Sequence, residues 1–149
     1  FFNAKPDTHL DFDMDLAVRR DSENPVYYVQ YAHARICSLC QNMAEEGIPV
    51  KSVKEINTAL LDSDVERELI KQLALLPEEI RLAARDYDPS RINRYLIELA
   101  SRFHRFYGAR RIRGEERAVA EARLKLADSV RITAANALAI LGVDAPERM

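Results

Sequence analysis

The segment Ser101 to Arg113 (SRFHRFYGARRIR) carries Arg102, Arg105, Arg110, Arg111 and Arg113 without an acidic residue, and interleaves them with Phe103, His104, Phe106 and Tyr107. That mixture suits unpaired RNA: guanidinium groups neutralise phosphates, and aromatic faces stack on bases at roughly 1 to 3 kcal/mol per base. A basic solvated turn whose phenylalanines belong to the core is the competing reading of the same residues. A second aromatic cluster lies in Asn24 to Arg35 (NPVYYVQYAHAR). At helical spacing Tyr27, Tyr28 and Tyr31 cannot share one narrow face, so some of them must face a partner or another domain. Alternatively they bury their rings and keep their hydroxyls wet. His33, alone on that stretch, reads as a hydrogen-bonded packing residue rather than a catalytic base. Cys37 and Cys40 read as small apolar fillers.

Other chemistries lack their residues. The chain has no phosphate-cradling glycine loop, no Ser, His and Asp set with recognisable flanks, and no metal-ligand pattern. Two cysteines three apart, with no second pair or nearby His, point to reduced thiols rather than a disulfide framework or a zinc site.

These residues must be positioned by helices. Asn24 followed by Pro25 is an N-cap and first-turn pair, after which Val29, Ala32, His33, Ile36, Cys40 and Met43 recur at helical spacing until Gly47. From Gly47 to Leu61 the chain reads as a loop with a short helix around Val53 to Leu60. Ser63 and Glu66 form a capping box, and Val65, Leu69, Leu73 and Leu76 continue a stripe up to Pro77, where the helix should kink or restart and run to about Tyr87. Asp88 and Pro89 repeat the cap-plus-proline signature ahead of Ile92, Leu96, Leu99, Ala100 and Phe103, with Gly108 as the expected stop. The last helix is expected to begin near Gly114 to Arg117 and run to Leu141, presenting Val119, Ala122, Leu126, Val130, Thr133, Ala137 and Leu141 on one face, with Gly142 as its C-cap. Its alanines would let another helix approach closely. Upstream of all this, residues 1 to 23 alternate Asp11, Asp13 and Asp15 with Leu10, Phe12, Met14 and Leu16, which suits a short strand or connecting arm. The abrupt start on two Phe without a cap suggests a cut from something larger. The expected architecture is therefore all-α, a helical bundle over residues 24 to 149 preceded by an arm over residues 1 to 23.

Composition bounds the partners. With 149 residues and 48% hydrophobic content the chain can bury one ordinary core. Its 22 Lys and Arg against 24 Asp and Glu give a net charge of -2, so a nucleic-acid partner would have to be held by local patches. Apolar runs are too short to span a bilayer and no signal peptide is evident, so no membrane partner is expected and the cytosol is the expected compartment.

Three blocks, in order along nearly the whole chain, resemble the arginyl-tRNA synthetases. HLDFDMDLA at His9 to Ala17 with NPVYYVQYAHARI at Asn24 to Ile36 looks like the exit from that family's catalytic domain and the first helix of its DALR-type anticodon-binding domain. FHRFYGARRI at Phe103 to Ile112 is similar to its aromatic block, and RLKLADSVRITAANALAILGVDAPERM to its C-terminal helix and tail. Gly108, Ala109 and Arg110 stand where the family usually has an Asn- and Cys-containing turn, and Ala137 where glycine is common. The family's ATP-binding HIGH-like and KMSKS-like signatures are missing, and the KSVK at Lys51 to Lys54 sits in the wrong context to be one.

The resemblance implies a partner and a division of labour. The full enzyme would charge tRNA(Arg) with arginine using ATP and Mg, while this chain, carrying no catalytic residue and no cofactor of its own, would grip the anticodon loop. Residues 1 to 23 would then be the tail of the catalytic domain and a connecting arm. That missing N-terminal domain would be a second partner, and DNA would not be one. Arginine codons share only a middle G, so the cognate anticodons share only a middle cytosine. By resemblance the contacts fall on Tyr28, Tyr31, Arg35, Arg102, Arg105, Phe106, Tyr107, Arg110, Arg111, Arg148 and Met149, with Tyr107 stacking beside the chain end. A helical protein-interaction module without RNA binding, favoured by the near-neutral charge, is the alternative, and the related domain of another synthetase a third.

Overall fold

The computed structural model describes residues 13–15, 19, 21 and 23–149. Among them the regular elements are five long α-helices, α1 (Pro25–Glu45), α2 (Asp64–Ala74), α3 (Leu76–Asp86), α4 (Ser90–Ala109) and α5 (Arg117–Ile140), plus two 3-10 turns at Val53–Glu55 and Thr58–Leu60. The short strand or connecting arm expected around Leu10 to Leu16 lies largely outside the described residues, and Met14 and Asp15 within it are helical.

Local chemistry sets most boundaries. The Asn24 carboxamide accepts from the amides of Val26 and Tyr27, and Pro25 needs no amide partner in the first turn of α1. The capping box holds at α2, where the Glu66 carboxylate accepts from the Ser63 amide at 3.0 Å and its hydroxyl at 2.5 Å. Pro77 restarts the chain as α3, with Leu75 as the joint between the two helices. Tyr87, in the left-handed region at φ 50°, closes α3. The Asp88 carboxylate accepts from the Ser90 amide at 3.1 Å and leads into α4. Gly142, at φ 68°, follows the end of α5.

One boundary differs from expectation. Gly108 does not stop α4, which continues through Ala109 and ends because Arg110 turns extended at φ −129°, ψ 120°. Gly108 is absent from the positive-φ residues, so it serves as an ordinary last-turn position.

Helix α4 packs against each of the other four helices, and α5 against α1, α2 and α4. The core is therefore centred on Leu96, Leu99, Phe103 and Phe106 of α4, with Ile36 and Met43 of α1, Leu69 of α2 and Leu124 and Val130 of α5. Helix α5 buries more than the single expected stripe. Ala120, Leu124, Ala127, Ala134 and Leu138 are also interior, whereas Val119, Thr133 and Leu141 are only half-buried. The physical reason is that α5 has neighbours on several sides, and its small alanines permit their close approach.

Candidate nucleic-acid interface

The aromatic block sits on the last turns of the hub helix. At helical spacing Phe103 and Phe106 point inward and are both 0% exposed, while His104 and Tyr107 lie half-buried at the edge. Phe103 lies between them and the interior, with ring centroids 5.6 Å from His104 and 5.7 Å from Tyr107. Phe106, expected as a contact residue, has no exposed surface in this structure and supports the edge from within.

Two helices meet at this edge. From α1, Tyr28 and Tyr31 bring their rings 5.3 and 6.2 Å from His104, the Tyr31 pair being stacked at 28°. Tyr31 is 43% exposed and so keeps an open face. One turn along α1, Arg35 places its guanidinium carbon 4.7 Å from the centroid of the Tyr107 ring. Such an arrangement stabilises by about 0.5 to 1 kcal/mol at an exposed site and orients the phenol ring. Burial lowers the pKa of His104 and the Arg35 charge adds to that, so its imidazole is neutral at pH 7 and behaves as a third aromatic face.

Beside Arg35 and Tyr107 opens a groove of about 370 Å³, lined by Ser38 and Asn42 of α1, by Glu46 at its C-cap, and by Arg110, Arg111, Ile112 and Arg113 beyond α4. Ser38, Asn42 and Glu46 were missed by sequence reasoning, although their spacing from Arg35 marks one polar stripe of α1.

The arginines differ in availability. Arg102, expected as a phosphate contact, is held in this structure by Glu98 at 2.6 Å and by Glu68 at 2.8 Å. Arg113 pairs with Glu46. Among the described residues, Arg35, Arg105, Arg110, Arg111 and Arg148 have no carboxylate partner. Arg110 and Arg111 therefore put uncompensated positive charge on the groove despite a net charge of -2 for the chain.

The tail after Gly142 returns along α1. Gln30 donates to the Asp144 carbonyl at 2.8 Å, and His33, buried at 3% exposure, meets the Pro146 carbonyl at 2.9 Å. A carbonyl can only accept, so Nδ1 of His33 carries the proton, which gives it the packing and hydrogen-bonding part expected of it. Arg148 lines a second groove of about 350 Å³ with Cys37, Ser38, Cys40 and Gln41, and Met149 is 53% exposed. Ser38 borders both grooves, so the tail and Tyr107 flank one stretch of α1 from two sides. Cys37 and Cys40 are half-buried rather than interior, and burial, reinforced by Asp128, pushes the Cys40 thiol up to about 11.

No helix among the described residues is long and apolar enough to cross a membrane. Known proteins resemble this chain over its whole length. Residues 29–149 match the family described as the DALR anticodon binding domain. Arginine–tRNA ligases of Ruminiclostridium cellulolyticum and Symbiobacterium thermophilum are each 52% identical across 100% of the chain, which spans 27% of either relative. The arginyl-tRNA synthetase of Thermus thermophilus superposes with a TM-score of 0.77 at 29% identity, covering 97% of this chain and 24% of that one. The chain thus spans about a quarter of the length of the relatives it matches.

Proposed function

The chain belongs to the DALR anticodon-binding domain family, and from that membership we propose that it is the part of an arginine–tRNA ligase that grips the anticodon loop of tRNA(Arg). The observation that carries this reading is the Tyr107 ring held under Arg35 at 4.7 Å, on the rim of a groove lined by the unpaired Arg110 and Arg111. A stacking face next to free guanidinium groups is what an unstacked base and its phosphates require.

The base to be read is the middle cytosine that all arginine anticodons share. Its amine donor can pair with a backbone carbonyl and its carbonyl acceptor with a backbone amide while Tyr107 stacks. Tyr28 and Tyr31, with His104 between them, offer a second stacking surface toward the junction with the preceding domain. Arg105 adds a phosphate contact on α4.

The complete ligase would work in the cytoplasm and join arginine to its tRNA with ATP and Mg. The residues present here do not fit those groups. The four glycines stand singly, and no three His, Cys, Asp or Glu side chains among the described residues converge on a metal position. We therefore expect no arginine-dependent ATP–pyrophosphate exchange from this chain alone.

Filter binding with an isolated tRNA(Arg) anticodon stem-loop tests the proposal. Binding should weaken by roughly 1 to 3 kcal/mol when the middle cytosine is replaced. Equal affinity for every loop would overturn the reading of the middle cytosine, and no affinity for any loop would favour the protein-interaction alternative.

A further inference from the structure

Away from the groove lies an ionic cluster that the contacts described so far do not explain. Glu66, at the start of α2, is 0% exposed, and the side chain of Arg123 in α5 is only 11% exposed. Arg123 Nε donates to Glu66 Oε1 at 2.8 Å. Another nitrogen of the same guanidinium, Nη1, donates to the Arg111 carbonyl at 2.8 Å and lies 3.7 Å from the Glu115 carboxylate. One planar cation thus joins α2, α5 and the segment that links α4 to α5.

Stability alone is a weak reason for such a pair, since apolar residues of similar volume often replace a buried ion pair at no cost. An apolar side chain could not hold a carbonyl. The carbonyl that is held belongs to Arg111, and its neighbours Arg110, Ile112 and Arg113 line the groove.

We propose that Arg123 is a positioning residue for the RNA groove: Glu66 aims its guanidinium, and the guanidinium fixes the backbone of Arg111 so that Arg110 and Arg111 present their charges to one ligand. This role rests on the anticodon-loop reading above. Arginine is required because its rigid fork bonds the carboxylate and the carbonyl together, whereas a lysine ammonium is a single point charge on a flexible stem.

The test compares the 149-residue chain with Arg123→Lys and with the double variant Glu66→Gln/Arg123→Met, in which the glutamine keeps the capping box with Ser63. Thermal melting, amide order parameters across Arg111 to Glu115 and affinity for the tRNA(Arg) anticodon stem-loop are measured for each. In Arg123→Lys the order parameters should fall from about 0.85 toward about 0.6. Its affinity should drop roughly tenfold, about equally for all loop sequences. The double variant should melt near the wild type and show the same two losses. If either variant keeps wild-type affinity and loop order, Arg123 is only a structural residue and the proposal is overturned. A wild-type chain that ignores the stem-loop overturns the anticodon-loop reading and this role with it, a result distinct from variants that bind like the wild type.

Discussion

An arginine already held by two carboxylates has little to offer a phosphate, and this separates the members of the basic block. Replacing Arg105, Arg110 or Arg111 by alanine should weaken binding about uniformly across RNA sequences and flatten the salt dependence by about one unit of slope. Arg102→Ala should leave the slope nearly unchanged and lower the melting temperature instead, because it breaks contacts to Glu98 and Glu68. Titration across several salt concentrations distinguishes the two outcomes. His104 gives a pH signature. Its folded pKa lies below the ordinary value of 6.5, so below that value the unfolded chain binds more protons. Stability should therefore be fully present above about pH 6.5 and decline as pH falls toward the lowered folded value. His104→Phe should remove that part of the pH dependence, and melting curves between pH 7.5 and about pH 5 would show it.

Among the elements, the tail is the one whose role can be isolated. Its hydrogen bonds to α1 come from Gln30 and His33 onto the carbonyls of Asp144 and Pro146, upstream of the last two residues. Deleting Arg148 and Met149 should therefore abolish preference for the middle cytosine while shifting the melting temperature by less than about 2 °C. A large drop in melting temperature with unchanged base preference would make the tail a seal on the bundle. Signals of this local kind were legible in the sequence. Asn24–Pro25, Ser63 with Glu66, Pro77 and Gly142 each act within one or two turns, and each marks its boundary in the structure. Gly108 misled because glycine permits a left-handed stop without requiring one. What stayed hidden depends on distant partners: Glu68 meets Arg102 across 34 positions, and Glu66 meets Arg123 across 57. No spacing rule within a helix reveals which arginines such pairings remove from the surface.

For the whole molecule, the interior of α4 carries the greatest burden. Phe103→Ala should cost about 3 to 5 kcal/mol, since the ring is wholly enclosed and its loss leaves a cavity where α4 meets its neighbours. Glu66→Gln should cost about as much, because it leaves Arg123 buried without its counter-charge. Burial raises the pKa of Glu66, but the bonds from Ser63 and Arg123 outweigh it and the net shift is downward. Its share of the stability should accordingly be present above the usual carboxylate range and disappear as pH falls through the lowered value, measurable by acid unfolding of wild type against Glu66→Gln.

The hub position of α4 has a consequence for how a ligand is felt. Tyr107 and the aromatic edge ride on the helix that contacts all four others, so the proposed RNA-binding surface cannot open without loosening the bundle. Its amides should then exchange with solvent deuterium only through near-global unfolding, as members of the slowest cooperative unit. A bound stem-loop at one hundred times its Kd would add about 2.7 kcal/mol to that opening free energy. The added protection should spread to α2 and α3, which lie outside the groove, so that occupancy at one edge is recorded in backbone amides throughout the fold.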